Sequence, residues 1–358
     1  MFTYGQPVPI FLVFFIFANF VDYFSFSIGF LILIFLTPFY YNFNFRFNSI
    51  SSLLVLTLLF FLTISFLLHP DNLYYYLRFI FAFISFIFLL NFSRLYLSFT
   101  ILSNASFLYL LIVLLLVFSM YDEGGRLHFF GDPNQFSLIL TISYLYLLFF
   151  VTISRYRYIV FFSLSTVYLY LLLLTNSIGG FFSFIFIFLS YLLYFYNIKH
   201  ILFLFFLFIL VFISFDINLS FIDKLQQNFD LNSFSILESG TVYTRYTSIL
   251  ETLNYDLYLF GHGFYSSYAL ETPPHNFFVL SIFETGIINT VLIFLFFLHF
   301  FWKFFYTFNR GVNNSFLVFH NKMVSFMFIP FLFLFPNITD LVFLSFIFLA
   351  YRINFSVR

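Results

Sequence analysis

The feature that most constrains this chain is a succession of long apolar stretches that contain almost no charge. A helix needs about 20 apolar residues to cross the hydrocarbon core of a bilayer. Twelve stretches of about this length are predicted to be transmembrane spans: 8–21, 24–41, 50–68, 73–90, 96–119, 134–153, 158–175, 179–196, 201–215, 276–301, 316–335 and 338–351. The first, ninth and twelfth are short, so ten or eleven crossings remain an alternative.

The composition excludes most other classes of protein. Only 8% of the residues are charged and 63% are hydrophobic, whereas a soluble domain has about 25% charged residues. Disorder would need few aromatics and many charges. A net charge of zero argues against nucleic-acid binding, and the absence of Cys excludes disulfides and thiolate nucleophiles. We therefore expect an all-α fold, a polytopic membrane helix bundle of about twelve helices.

The distribution of charge predicts how the bundle is oriented. The loops on the side of the N-terminus contain ten of the 14 basic residues and no acid. These basic residues are Arg46, Arg94, Arg155, Arg157, Lys199, Lys303, Arg310, Lys322, Arg352 and Arg358. All 14 acids fall on the other side. Because Lys and Arg are enriched in cytoplasmic loops, both termini are predicted to be cytoplasmic.

Two hydrophilic segments fall on the outer side. The first is a short loop at 120–133, and the second is a large loop at 216–274 with the composition of a small subdomain. A loop of this length is usually functional or disordered. Apolar residues at helical spacing in 242–253 predict an amphipathic helix within it. We interpret the chain as a single membrane domain, 1–358, that carries these two loops.

Four basic residues remain on the acidic outer side: Arg78, Arg126, Lys224 and Arg245. Arg78 lies inside the predicted fourth span, where a charge is costly unless it faces the bundle interior or water. The alternative is that its side chain reaches back to the membrane interface or pairs with Asp71.

Polar motifs mark two outer helix ends. Asp132 followed by Pro133 is a good helix start, so Asn134 lies in the first turn of the sixth span. A capped helix explains this pair without a functional role. Two prolines precede His275 and Asn276, which places both at the start of the tenth span. We favour a functional role over a structural one for His275.

A third outer helix end contains Gly179 and Gly180, which permit close approach by a neighbouring helix or by a ligand. Helix N-termini favour anions. Together with Arg78, Arg126 and Arg245, three such ends predict an outward-facing site for a phosphate-bearing ligand at the membrane interface. No His pair has metal-ligand spacing, so we expect neither a metal nor another cofactor.

At this point the motifs resemble those of bacterial O-antigen polymerases and O-antigen ligases. Arg126 with Gly131-Asp132-Pro133-Asn134 is similar to one family element. A second family element has a counterpart here with its parts in the same order: Arg245, Gly261-His262-Gly263, His275-Asn276 and Glu284-Thr285-Gly286. The likeness covers about residues 120 to 290. Many relatives have Ser-Arg-Gly where this chain has Ser177-Ile178-Gly179, so a family cation is missing, and Arg78 is the candidate to replace it.

The resemblance implies a GT-C-like membrane glycosyltransferase that uses an undecaprenyl-pyrophosphate-linked oligosaccharide at the periplasmic face of the inner membrane. Arg126 and Arg245 would bind the pyrophosphate, because Arg binds phosphate oxygens bidentately. His275 is the first candidate for the base and Glu284 is the second. The other residues expected at the site are Arg78, Asp132, Asn134, Asn276, Gly261 and Gly263.

Three functions remain open. The favoured one is a polymerase, whose acceptor is a lipid-linked repeat unit; the second is a ligase, whose acceptor is the lipid A core. The third is a lipid-linked oligosaccharide flippase or another transporter. A transporter should have ionisable residues and broken helices near the bilayer midplane, and only Arg78 and Glu284 are assigned to spans. Besides the lipid bilayer, a polysaccharide chain-length regulator is a candidate partner.

Overall fold

The computed structural model describes residues 49–77, 80, 98–117, 133–196, 249–252, 254–255, 258–264, 266–270, 277–307 and 315–334. Within these ranges the fold is helical, without strands. Seven long helices are present: α1 (Ser49–Leu68), α2 (Phe99–Leu116), α3 (Pro133–Ile153), α4 (Arg157–Thr175), α5 (Ile178–Phe195), α6 (Phe277–Thr307) and α7 (Ser315–Leu334). Two short 3-10 turns, Pro70–Asn72 and Ser266–Ala269, accompany them.

The helices match the apolar stretches of the sequence closely. In the described part of the chain, α2 to α6 are long and apolar enough to cross a membrane. The predicted spans at 8–21, 24–41, 201–215 and 338–351, and most of 73–90, lie outside the described residues. So does most of the predicted amphipathic helix, of which 249–252 is helical. The prediction of an all-helical fold is thus confirmed for the described residues, and five of the predicted spans coincide with helices that could cross a membrane.

Local signals set several of the helix ends. Ser98 and Ser177 cap α2 and α5, because each hydroxyl accepts a hydrogen bond from a backbone N–H in the first turn. α3 begins at Pro133, which needs no backbone donor there. α4 ends at Asn176, whose left-handed conformation (φ 51°) places its N–H on the Leu173 carbonyl.

Hydrogen bonds between helices show that α2 and α3 are antiparallel. The Ser103 hydroxyl donates to the Tyr146 carbonyl (2.6 Å), and the Ser143 hydroxyl donates to the Ser106 carbonyl (3.3 Å). Residue numbers thus rise along one helix as they fall along the other. Small hydroxyl residues let transmembrane helices pack closely and bond to each other.

Further contacts between helices give the relative directions of α4, α5 and α7. α3 and α4 are antiparallel through the Tyr144–Ser165 and Ser143–Tyr168 hydroxyl pairs, 2.8 and 2.6 Å apart. Helices α3 and α5 start at the same end of the bundle. Phe99, the first residue of α2, contacts Phe316 near the start of α7, so these helices are parallel. Among the described helices, α2, α4 and α7 therefore run in one direction and α3 and α5 in the other. Helices α1 and α6 are antiparallel to each other, because Ser65 lies near Thr285 and Phe61 near Asn289.

Two sequence expectations need correction. Lys322, assigned to an inner loop, lies about two turns inside α7, and its ammonium is 5.3 Å from the ring centroid of Tyr194. The long stem of Lys allows its charge to extend toward the helix end. The tenth span was predicted to be one continuous helix at 276–301, but α6 is broken at Gly286. The reason for the break lies in the packing around it.

Candidate functional site

The break in α6 is centred on a glycine with a backbone conformation that other residues rarely adopt. Gly286 has φ 90° and ψ 173°, a region open essentially to glycine alone. A break interrupts the hydrogen bonds within the helix, and an unsatisfied backbone group in lipid costs several kcal/mol. Partners for these groups must come from outside the helix.

The segment 258–264, which we call the glycine loop, supplies these partners. The N–H groups of His262 and Gly263 donate to the carbonyls of Phe283 and Glu284, at 2.8 and 3.0 Å. On the other side of the break, the N–H groups of Ile287 and Ile288 donate to glycine-loop carbonyls, at 3.4 and 3.3 Å. The glycine loop therefore forms hydrogen bonds with backbone groups of α6 on both sides of the break.

Two glycines allow this close approach. Gly261 has φ 75°, and a Cβ there would overlap the Glu284 carbonyl and the Gly286 N–H. A Cβ on Gly286 would overlap the backbone of Leu259 and Gly261. Each glycine is thus required by its φ angle and by the space around it. Gly261 of the glycine loop and Gly286 of α6 are therefore in close backbone contact.

Helix α1 braces the break from a third direction. The Ser65 hydroxyl donates to the Phe260 carbonyl of the glycine loop and also lies 3.5 Å from the Thr285 carbonyl. The Asn289 amide donates to the carbonyls of Thr285 (2.7 Å) and Phe61 (3.5 Å). The end of α1, the glycine loop and the start of α6 therefore form one hydrogen-bonded unit.

Glu284 is the acidic residue of this unit. Its side chain is only 8% exposed, and its Oε1 accepts a hydrogen bond from the hydroxyl of Ser267 in the turn Ser266–Ala269. A buried carboxyl group needs such donors, because burial without them is costly. The pairing attaches the turn to α6. Glu284 thus contributes to the structure of the site, in addition to any role as a base.

His262, the central residue of the glycine motif, has an anchoring role. Its ring stacks on Phe283 at 4.5 Å between centroids and contacts Tyr258 at 4.6 Å. Aromatic contacts of this kind stabilise packing beyond simple burial. They hold the glycine loop against α6, so the motif His is a packing residue in this structure.

Residues just after α1 line the site and were missed in the sequence analysis. The Asn72 amide donates to the Phe264 carbonyl at 2.7 Å, and the Tyr76 ring contacts Phe264 at 5.8 Å. His69 lies against Gly263, where a Cβ would be 2.9 Å from the His69 Cβ. The run His69-Pro70-Asp71-Asn72 is a turn signal next to the outer end of a span, and this signal could have identified them.

The second polar contact joins the starts of α3 and α5. Asn134 Oδ1 accepts a hydrogen bond from the Ser177 hydroxyl at 2.9 Å, and the Ser137 hydroxyl lies 3.0 Å from that of Ser177. Gly180 leaves the space for Ser137, since a Cβ there would overlap the serine. Of the two roles left open for the glycine pair, close approach by a neighbouring helix is the one observed at Gly180. Asn134 joins two helix ends.

The other six predicted site residues lie outside the described part of the chain: Arg78, Arg126, Asp132, Arg245, His275 and Asn276. Of the ten predicted residues, Gly261, Gly263 and Glu284 meet in one cluster, and Asn134 belongs to the α3–α5 contact. Among the described residues, no three His, Cys, Asp or Glu side chains are grouped so that they could hold a metal ion.

The chain matches no family model, no curated protein and no solved structure.

Proposed function

We propose that the protein is an O-antigen polymerase of the bacterial inner membrane. In this proposal the bundle is GT-C-like, with about twelve spans, cytoplasmic termini and a periplasmic loop at 216–274. It transfers undecaprenyl-pyrophosphate-linked oligosaccharide chains to a lipid-linked repeat unit at the periplasmic face. The reaction inverts the anomeric configuration and uses no metal.

One observation carries the proposal. The two elements of the second motif, Gly261-His262-Gly263 and Glu284-Thr285-Gly286, are joined by backbone hydrogen bonds around the break in α6. Motif residues spread over 261–286, in a loop and a helix, thus form one compact unit. This supports interpreting the motif as a built site, which the order of its residues alone could not do.

The proposed chemistry follows from the basic residues of the two sequence motifs. The acceptor hydroxyl attacks the anomeric carbon, and the bond from that carbon to the pyrophosphate oxygen breaks. The pyrophosphate leaves with the electron pair, and preorganised cations at the developing charge lower the barrier. We assign this role to Arg126 and Arg245. His275 receives the hydroxyl proton, because the Glu284 carboxylate is buried and already bonded to Ser267.

The ligase alternative uses the same donor and the same site. It differs in the acceptor, which is the lipid A core, and no described contact distinguishes the two acceptors. The deletion phenotype does. Loss of a polymerase leaves core that carries a single repeat unit, whereas loss of a ligase leaves bare core and accumulated lipid-linked chains.

Two observations favour the transporter alternative. α6 is a broken helix, and His320 is a fully buried ionisable residue inside α7, which the sequence analysis did not weigh. Both are typical of transport pathways.

The positions of the α6 break and of His320 along their helices argue against a transporter. The residues of α6 after Gly286 would extend about 32 Å at 1.5 Å per residue, enough to cross the hydrocarbon core alone. The break therefore lies near one end of the span. His320 lies beside Phe99, the first residue of α2. Both features therefore lie near helix ends and not at the middle of a span.

Complementation tests the proposal. In a strain that lacks its own gene, Arg245→Ala and His275→Ala should leave protein levels normal and abolish the surface polysaccharide ladder. Lys224→Ala is the matched control, because Lys224 is an outer basic residue outside the motifs. An unchanged ladder in both site variants would refute the assignment.

A reconstituted assay separates enzyme from transporter. Vesicles that contain only this protein and lipid-linked repeat units on the outer surface should produce longer oligosaccharides on the lipid carrier. Movement of the repeat unit across the bilayer without elongation would instead support the transporter.

A further inference from the structure

His69 lies at the end of α1 in a fixed backbone position. Its N–H bonds to the carbonyls of Ser65 and Phe66 at 3.2 and 3.1 Å. Pro70 follows it and disfavours a helical backbone at His69, whose φ is −136° and ψ 77°. The side chain therefore projects from a rigid base beside the glycine loop.

The imidazole of His69 has no partner in the part of the chain that the structure describes. It is partly exposed, and no hydrogen bond, ion pair or ring contact is formed by its side chain there. By contrast, the rings of His262, His299 and His320 contact neighbouring aromatic rings. A partly exposed polar ring that has no partner among the described residues is available to a ligand.

The glycine loop makes room for this histidine. Gly263 has φ 106°, and a Cβ there would come within 2.9 Å of the His69 Cβ, closer than ordinary contact. Asn72 fixes the same loop by donating to the Phe264 carbonyl at 2.7 Å. Gly263, the third residue of Gly261-His262-Gly263, thus leaves space for His69, which lies almost 200 positions earlier in the chain.

We infer that His69 is a substrate-contacting residue of this site, whose imidazole donates a hydrogen bond to a diphosphate oxygen. The inference rests on the proposed function for the identity of the lipid carrier. Imidazole can donate from either ring nitrogen and gains a charge-assisted bond when it is protonated. Its location at the end of a span suits a diphosphate held at the membrane interface.

The test measures binding of inorganic diphosphate and of undecaprenyl diphosphate to the purified full-length protein in detergent. His69→Ala should weaken the binding of both about tenfold or more, as expected for a lost hydrogen bond to a charged group. His69→Gln, which retains a donor, should restore part of the affinity. His299→Ala is the matched control, because this histidine lies about 20 Å beyond the break on α6 and should bind both probes normally.

The outcomes separate the inference from the proposed function. Unchanged affinity in correctly folded His69→Ala and His69→Gln would overturn the inference. If only undecaprenyl diphosphate loses affinity, His69 contacts the lipid-linked form and not free diphosphate. The wild-type elongation assay tests the proposed function separately, since the binding measurement needs no turnover. In that assay, His69→Ala should raise the KM for the donor more than it lowers kcat.

Discussion

Replacing Gly286 by alanine tests whether the break in α6 is a required part of the fold. An L residue at φ 90° and ψ 173° costs on the order of 1–3 kcal/mol in backbone strain. The added methyl would also overlap the backbone of Leu259 and Gly261. Separating the glycine loop from α6 breaks four backbone hydrogen bonds, each contributing about 0.5–1.5 kcal/mol. We therefore expect a loss of about 3 kcal/mol or more in the free energy of unfolding.

The measurement is reversible unfolding of the purified protein in mixed micelles of increasing denaturing-detergent content. Val291→Ala is the control, because Val291 lies on the same helix and is 51% exposed, so its loss should change stability by about 0.5 kcal/mol or less. If Gly286→Ala unfolds within about 1 kcal/mol of the wild type, α6 can close into a regular helix at little cost. The reasoning from the backbone angle would then be refuted.

Three further predictions use neighbouring contacts. Ser267→Ala removes the hydroxyl that bonds the buried carboxylate of α6 and should lower the free energy of unfolding by about 1–3 kcal/mol; an unchanged unfolding midpoint would contradict this. Gly180→Ala should destabilise the α3–α5 contact by about 1–3 kcal/mol, and the added change Ser137→Gly should restore most of the loss in the same assay if the overlap is the cause. Because the chain has no Cys, single cysteines report topology: an impermeant maleimide should label Leu259→Cys but not Tyr156→Cys from the periplasm, and labelling of both from one side would contradict the predicted topology.

The positions of the helices were predictable from length and hydropathy. A crossing segment must be about 20 residues long and apolar, and every backbone group within lipid must be bonded internally. The predicted spans at 158–175 and 179–196 accordingly agree with the structure to one residue at each end, and those at 50–68, 134–153 and 316–335 coincide with described helices. Only length and hydropathy were needed for these helices, and neither depends on which helix packs against which.

The break at Gly286 could not be predicted in the same way. Glu284-Thr285-Gly286 interrupts an apolar run only briefly, and a single glycine within a span is compatible with a continuous helix. The conformation of the glycine depends on hydrogen-bond partners in the glycine loop and in α1, the latter more than 200 residues earlier in the chain. His69 was missed for a related reason: the turn signal at 69–72 marks the end of a span, but the contact of His69 with Gly263 depends on tertiary packing.

The sequence by itself determined that the described part of the chain is helical and where its long apolar helices lie, because length and hydropathy are properties of each helix separately. It also identified Gly261, Gly263 and Glu284 as residues of interest, but not what they do. Only the tertiary structure decided that these residues surround a broken helix, that Glu284 bonds to Ser267, and that Asn134 links two helix ends. These properties depend on distances between segments remote in sequence, and such distances are set by packing.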